Sequence, residues 1–189
     1  VETDYALRKF IDAKNKIFNK DDRNSTEFLI NIETKTTLEN LDNIIKVCNS
    51  HESNDGISGF VFGRVDYTMS CGLPRDDINL LDNNVITDAV LQVSEKIKDH
   101  DLSLVVGGGV SLDALSIMRK IRETKLDRFE TRKVIFSQKA LEISNLPEGM
   151  MQAVKFELLW LKNKKNYYEA IFKEDDLRIK MLSDRWIKE

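Results

Sequence analysis

Cysteine, histidine and proline are scarce in this sequence, at two residues each in 189. The two cysteines, Cys48 and Cys71, have neither metal-ligand spacing nor the density of a disulfide framework, which fits a reducing, cytoplasmic setting. No run of about 18 apolar residues occurs, so no membrane-spanning helix is expected. Neither sign of charge dominates: 29 Lys and Arg face 32 Asp and Glu, interspersed along the chain, for a net charge of −3. That leaves no basic footprint, and nucleic acid is not an expected partner. The opening Val1-Glu2-Thr3 lacks both an initiator Met and a signal-peptide pattern. It reads as the end of a strand, so further strands are expected upstream of it.

What the chain does have is alternation between helical and strand patterns. Leu7, Phe10, Ile11, Ile17 and Phe18 recur with a helical period over Tyr5 to Phe18. Glu27 to Ile32 is a short apolar run of strand length, and Thr37 is placed to cap a helix running through Cys48. After a break at Asn54-Asp55-Gly56, Ile57 to Phe62 reads as a second strand, Val85 to Lys98 as a helix and Leu102 to Val106 as a third strand. Gly107-Gly108-Gly109 follows, with Ser111 capping a helix to about Glu123. Arg128 to Phe136 reads as a fourth strand, unusually charged for a buried one. From Glu148 onward the pattern is helical, in two helices, the second over Tyr167 to Trp186.

This order predicts an α/β fold with parallel strands joined by right-handed crossovers. A closed eight-unit barrel takes about 250 residues, so the expectation is the C-terminal portion of a (β/α)8 barrel over residues 1–145. An added helical tail covers 146–189. An open, doubly wound sheet is the alternative.

In such barrels, chemistry gathers at strand C-termini. Four places qualify: Val1-Glu2-Thr3, Asn31-Ile32-Glu33-Thr34, Gly63-Arg64-Val65-Asp66, and Gly107-Gly108-Gly109-Val110-Ser111. Three of them deliver an acid from the end of an apolar strand, where a carboxylate is costly to bury unless it is paired or bound to a cation. Hard divalent ions need only one or two such carboxylates, with waters and substrate oxygens completing the shell. On the residues alone, Glu33 and Asp66 are metal ligands, or else a helix N-cap or an ion pair.

The segments NIETKTTLENLDNI and GISGFVFGRVDYTMSCGL, with VETDYALRKFI before them, resemble the metal-binding half of the HpcH/HpaI aldolase and citrate lyase β-subunit family. The likeness covers roughly residues 1–140. In that family a Glu ends the fifth strand, and an Asp stands in a Gly-x-x-Asp-Leu loop after the sixth. The resemblance implies that Glu33 and Asp66 hold Mg²⁺ or Mn²⁺, and that backbone amides around Gly63, Val65 and Asp66 seat the carboxylate of a 2-oxo acid such as pyruvate. The implied activity is carbon–carbon bond cleavage or formation through an enolate that the metal stabilises. A citrate-lyase-like acyl-CoA lyase, or a non-catalytic fragment kept for binding or assembly, are the other readings. The family's catalytic His and substrate Arg lie in the half expected upstream.

Two departures stand in the motif. Arg64 and Val65 occupy positions that often hold other residues, including proline, and Tyr67 replaces the usual Leu. Arg64 is expected either to contact an anionic substrate or to pair with Glu2 or Glu33. Glu2 is expected to support the site or to cap the helix that starts near Asp4. Gly108, Gly109 and Ser111 precede a helix N-terminus and form a weak anion-binding candidate, against which stands simple close packing. Glu130 and Arg132 share a face of the fourth strand, and are expected either to form an ion pair or to contact the substrate. His51 and His100 fall in polar segments and read as surface residues, and Cys71 reads as a packed thiol. Trp160, Tyr167, Tyr168, Phe172 and Trp186 mark the tail as an assembly element, consistent with a homo-oligomer.

Overall fold

The computed structural model describes residues 1–50, 56–79 and 84–186. His51 and the Asn54-Asp55 part of the expected chain break lie outside them. The chain divides into two units, Val1–Pro147 and Glu148–Glu189.

The first unit opens with α1 (Asp4–Ile17), capped by Thr3, whose hydroxyl accepts from the Ala6 N–H at 3.2 Å. A short α2 (Lys20–Ser25) leads to β1 (Leu29–Ile32). Next come α3 (Lys35–Glu39), α4 (Leu41–Asn49), β2 (Gly59–Gly63) and α5 (Arg64–Ser70). A 3₁₀ turn at Arg75–Asn79 precedes α6 (Val85–Ile97), then β3 (Ser103–Gly107) and α7 (Leu115–Arg122). The sheet ends with β4 (Arg128–Glu130) and β5 (Ile135–Ser137).

Strand order is β1-β2-β3-β4-β5, the first four parallel and β5 antiparallel to β4. Strands that follow one another without reversal, joined by crossovers of one hand, carry all their helices on one face. The sheet is open, with β1 and β5 at its edges as the alternative expected, but its strand order does not reverse as that of a doubly wound sheet would. The register shows the consequence. Ile30, Ile32, Phe60, Phe62, Leu104, Val106 and Phe129 all point to one face, and none is more than 4 % exposed. The helices follow the strand order, α1 beside α4, α4 beside α6, and α6 beside α7. They bury Leu7, Ile11, Ile44, Val90, Val93, Ile117 and Ile121.

The opposite face is different in kind. It carries Asn31 from β1 with Glu33 just beyond it, Val61 and Gly63 from β2, Val105 and Gly107 from β3, and Arg128 and Glu130 from β4. Parallel strands ordinarily read as continuous apolar runs because both faces are covered; here one face alternates to polar. Arg128 uses it to reach Glu27, ahead of β1, at 2.8 Å, an ion pair that spans the two strands between.

Three expected elements take a different form. Arg128 to Phe136 is a hairpin rather than one strand. Thr131 and Val134 close the turn through Thr131 N–H to Val134 O at 2.9 Å and Val134 N–H to Thr131 Oγ1 at 3.2 Å. The turn takes Arg132 and Lys133 out of the sheet, which resolves the oddity of a charged buried strand. Thr34, not Thr37, is the N-cap after β1, accepting from the Thr37 N–H at 3.2 Å. Thr37 is buried inside α3, where its hydroxyl meets Thr34 Oγ1 at 2.9 Å. The tail is one helix rather than two: α8 (Leu146–Trp186) runs 41 residues without a break. Asn163-Lys164-Lys165-Asn166 is polar but contains neither glycine nor proline, so nothing interrupts the backbone ladder there.

Candidate functional site

Glu33, Gly63, Gly107 and Glu130 stand at one level across β1 to β4. Gly63 is the register partner of Gly107, Ile32 pairs with Phe62 just before it, and Val106 pairs with Phe129. Each glutamate lies over the glycine of the neighbouring strand. A Cβ on Gly63 would sit 2.7 Å from Glu33 Cγ and 3.0 Å from its Oε1; a Cβ on Gly107 would sit 2.9 Å from Glu130 Oε1. The two glycines thus open the space that the two carboxylates occupy, at the strand ends where ligands of open α/β sheets bind.

Around Glu33 the donors are local. Asn31 Nδ2 donates to Glu33 Oε1 at 2.9 Å from two residues earlier on the same face. Glu2 does not cap α1, a role taken by Thr3; its Oε1 accepts from Thr34 Oγ1 at 2.7 Å, which places its carboxylate beside the end of β1. Asp66 stands exposed in the first turn of α5, three residues after Gly63.

Arg64 is fully buried, at 0 % exposure. Its Nη1 donates to Ile78 O at 3.4 Å and Asn79 Oδ1 at 3.1 Å, inside the 3₁₀ turn, while Nε and Nη2 find no partner. Neither Glu2 nor Glu33 forms an ion pair with it, so that expectation is corrected. Desolvation pulls its pKa down to about 10, which leaves it charged at neutral pH.

Gly108 and Gly109 adopt φ of +79° and +61°, the region glycine enters without steric cost. A Cβ on Gly108 would lie 2.8 Å from the Val65 nitrogen and 3.0 Å from the Arg64 nitrogen. Its absence lets the Gly107–Ser111 loop pack closely against the first turn of α5. Ser111 takes the N-cap position of the 3₁₀ turn Leu112–Ala114 but makes no side-chain cap bond. Instead its hydroxyl accepts from Asn79 Nδ2 at 3.3 Å, and the same amide reaches Gly109 O at 3.5 Å. The Gly107–Ser111 loop is thereby tied to the turn that holds Arg64.

Glu130 and Arg132 do not share a strand face. Arg132 lies in the hairpin turn, off the strand. Burial raises the Glu130 carboxyl above its usual range, opposed only by Arg128. A raised carboxyl means that folding opposes the charged form, so its cost is present above the raised pKa and vanishes where both states are protonated. Glu130→Gln is expected to raise the melting temperature at pH 7, with the gain gone by about pH 4; an equal gain at both values would rule out the carboxylate as its source.

The remaining candidates lie elsewhere. His100 sits near the opposite, N-terminal end of β3, half-buried, with Nδ1 3.1 Å from Asn49 Nδ2. Cys71 is half-buried at the C-cap of α5, and Cys48 is buried with its thiol pushed up to about 11 by desolvation. Among the described residues, no three His, Cys, Asp or Glu side chains converge as a cation site, and no helix is long and apolar enough to cross a membrane. Glu33 follows β1 and Asp66 stands in the first turn of α5, so both carboxylates lie next to the C-terminal ends of neighbouring strands. No protein-family model matches the chain, and comparison with curated proteins gave no significant match.

Proposed function

We propose that this chain is the metal-holding part of a (β/α)-barrel carbon–carbon lyase of the pyruvate-aldolase type, acting on pyruvate or a related 2-oxo acid and related to the HpcH/HpaI aldolases and citrate lyase β-subunits. The observation that carries the reading is Glu33 seated over Gly63, with Asp66 in the helical turn that Gly63 begins. The single-sided helix layer and the polar opposite face support a strand set that belongs to a closing barrel.

Glu33 and Asp66 would hold Mg²⁺ or Mn²⁺. Asn31 fixes one Glu33 oxygen, and Thr34 orients Glu2 at the rim of the same strand end. Backbone amides around Gly63, Val65 and Asp66, at the start of α5, would receive the substrate carboxylate. Arg64, charged and buried beneath that turn, adds to the potential felt by an anion there. The ion that Glu33 and Asp66 would hold would supply Lewis-acid chemistry toward the carbonyl of a 2-oxo acid. An acyl-CoA substrate in place of pyruvate would use the same carboxylate pair. The free thiols of Cys48 and Cys71 suit a cytoplasmic setting.

Titrating Mn²⁺ and pyruvate into the wild type and into Asp66→Ala tests this. The wild type is expected to gain thermal stability with metal, by mass action on the folded state. Asp66→Ala is expected to weaken that response by about tenfold or more. An identical response in both, or none in either, would sink the metal-dependent reading. The second reading, a binding or assembly module, is favoured by a separate feature: α8 exposes Phe156, Leu158, Tyr168, Phe172 and Trp186, all more than 50 % or at 50 % accessible. Assembly into a homo-oligomer through α8 is part of the proposal in either case.

A further inference from the structure

Along α8, residues spaced alternately four and three apart from Val154 to Trp186 are apolar at every step except Lys165 and Asp175. Its apolar members are between 45 % and 87 % exposed. A stripe with a 3.5-residue period is the seam of a coiled coil, and it persists here for more than the three to four heptads that such an assignment takes. Helices of this length owe their stability to packing of that face, and an apolar patch of this extent marks an association surface.

The two charges in the seam decide what covers it. We propose that α8 pairs antiparallel with α8 of a second copy of this chain, about a two-fold axis level with Ala170, so that Lys165 meets the partner's Asp175 and Asp175 meets the partner's Lys165. The same register sets Leu158 against the partner's Leu182 and Leu161 against the partner's Ile179. Tyr168 then meets the partner's Phe172 beside the axis. Every seam position thus faces one of its own kind, apolar on apolar and cation on anion.

Other arrangements fail on these residues. A parallel, in-register pair sets Lys165 on the partner's Lys165 and Asp175 on the partner's Asp175, like charges in a desolvated seam. Sliding the antiparallel pair by one heptad faces Lys165 with Tyr168 or Leu182, and Asp175 with Leu158 or Phe172, which leaves each buried charge unpaired. Within its own helix Lys165 already holds Glu169 at 3.2 Å, and that carboxylate flanks the seam. The flanking positions themselves are evenly divided: Glu157 with the partner's Arg185 and Lys162 with the partner's Asp176 attract, whereas Lys164 with the partner's Arg178 and Glu169 with its own copy repel. They leave the choice to the seam. A second apolar stripe through Phe156, Trp160, Tyr167, Leu177 and Met181 is interrupted by Asn163, Glu174 and Asp184, and offers no such matched pairing.

This inference rests on the assembly reading of α8 and is independent of the lyase chemistry. Sedimentation equilibrium of the full chain is expected to show a dimer at micromolar concentration. Lys165→Asp and Asp175→Lys each place like charges together, and each is expected to weaken the dimer at least about tenfold. The double variant Lys165→Asp/Asp175→Lys restores opposite charges and is expected to return to within about threefold of wild type. In a Cys71→Ser background, a Leu161→Cys variant mixed with an Ile179→Cys variant is expected to give oxidised heterodimer, with neither cross-linking to itself. A wild-type monomer overturns both this pairing and the assembly reading. A dimer in which Leu161→Cys cross-links with itself, or in which the double variant is not rescued, overturns the antiparallel register alone.

Discussion

Gly59→Ala is expected to destabilise the first unit by about 3 kcal/mol, near the upper end of the usual cost of forcing atoms into a packed site. The Cβ it adds would lie 2.2 Å from Ser103 O, 2.7 Å from Ser103 N and 2.8 Å from Ser103 C. All three are backbone atoms of β3, so no side chain can swing aside. The pairing itself must open, at a point where the sheet is tied tightly: Ser103 N–H donates to Ser58 O at 2.8 Å and Ser58 N–H to Phe28 O at 2.7 Å. The control is Gly72→Ala. Gly72 has φ of +68° and nothing within 4 Å of the Cβ it would gain, so only the left-handed backbone opposes alanine, at about 1 kcal/mol. Urea denaturation of the two variants separates the mechanisms. For a domain of this size 1 kcal/mol is about 2–4 °C of melting temperature, so the Gly59 variant should melt several degrees below the Gly72 variant. Equal losses would show that β2 and β3 part at this end without cost. The site would register the change as well, because β2 carries Gly63 at its far end, opposite Gly107.

The alternation of helix and strand was legible in the sequence because one sheet face and the helices against it are strictly apolar. Phe60 and Phe62, Leu104 and Val106 announce two strands, and the single direction of their crossovers follows from chain geometry. The hairpin at Thr131–Val134 was harder to read. Its neighbours alternate as a strand does, and Arg132 and Lys133 signal a turn only once the face they would occupy is known. The continuity of α8 is hard to see in the sequence because the polar Asn163–Asn166 stretch resembles a linker, although it holds neither of the residues that break a helix. At the site, Glu33, Asp66, Gly63 and Arg64 stood out from sequence by position at strand ends. Glu130 stood out only as half of a charged pair with Arg132, because its place beside Gly107 depends on register. Only when Gly63 pairs with Gly107 do Glu33 and Glu130 come to one level, each over a residue without a side chain. Two strands ending in glycine, flanked by two carrying glutamate, were the available signal. The burial of Arg64 had no signal at all, since an arginine after a strand end reads as exposed.

Arg64 is where a local rule is broken most plainly, and its two substitutions should part in opposite directions. The guanidinium is held at 0 % exposure with two oxygen acceptors on Nη1 and none on Nε or Nη2. No acid among the described residues pairs with it. A pKa drawn down to about 10 by desolvation means that the folded state resists the proton, so the cost is fully present at neutral pH and relieved only above that value. Arg64→Ala removes the charge but also the stem, leaving a void against Ile78 and the base of α5; about 3 kcal/mol of stability should be lost. Arg64→Met keeps an unbranched apolar stem in place of most of the void, though it stops short of the guanidinium end, and leaves the Ile78 and Asn79 acceptors to find other donors. Replacing buried ions by well-packed apolar residues is often neutral or stabilising, so this variant should melt at or above the wild type. The compensation for keeping an unpaired cation is then to be sought in binding. If the amides at the start of α5 receive a carboxylate, Arg64→Met should bind pyruvate with Mn²⁺ more weakly by about tenfold, even as the protein grows no less stable. Denaturation midpoints with and without ligand would show both effects in one series, the trade of stability for function expected where a charge is buried for use. A methionine variant as unstable as the alanine variant would mean instead that the bonds to Ile78 and Asn79 hold the turn, and that Arg64 serves the fold.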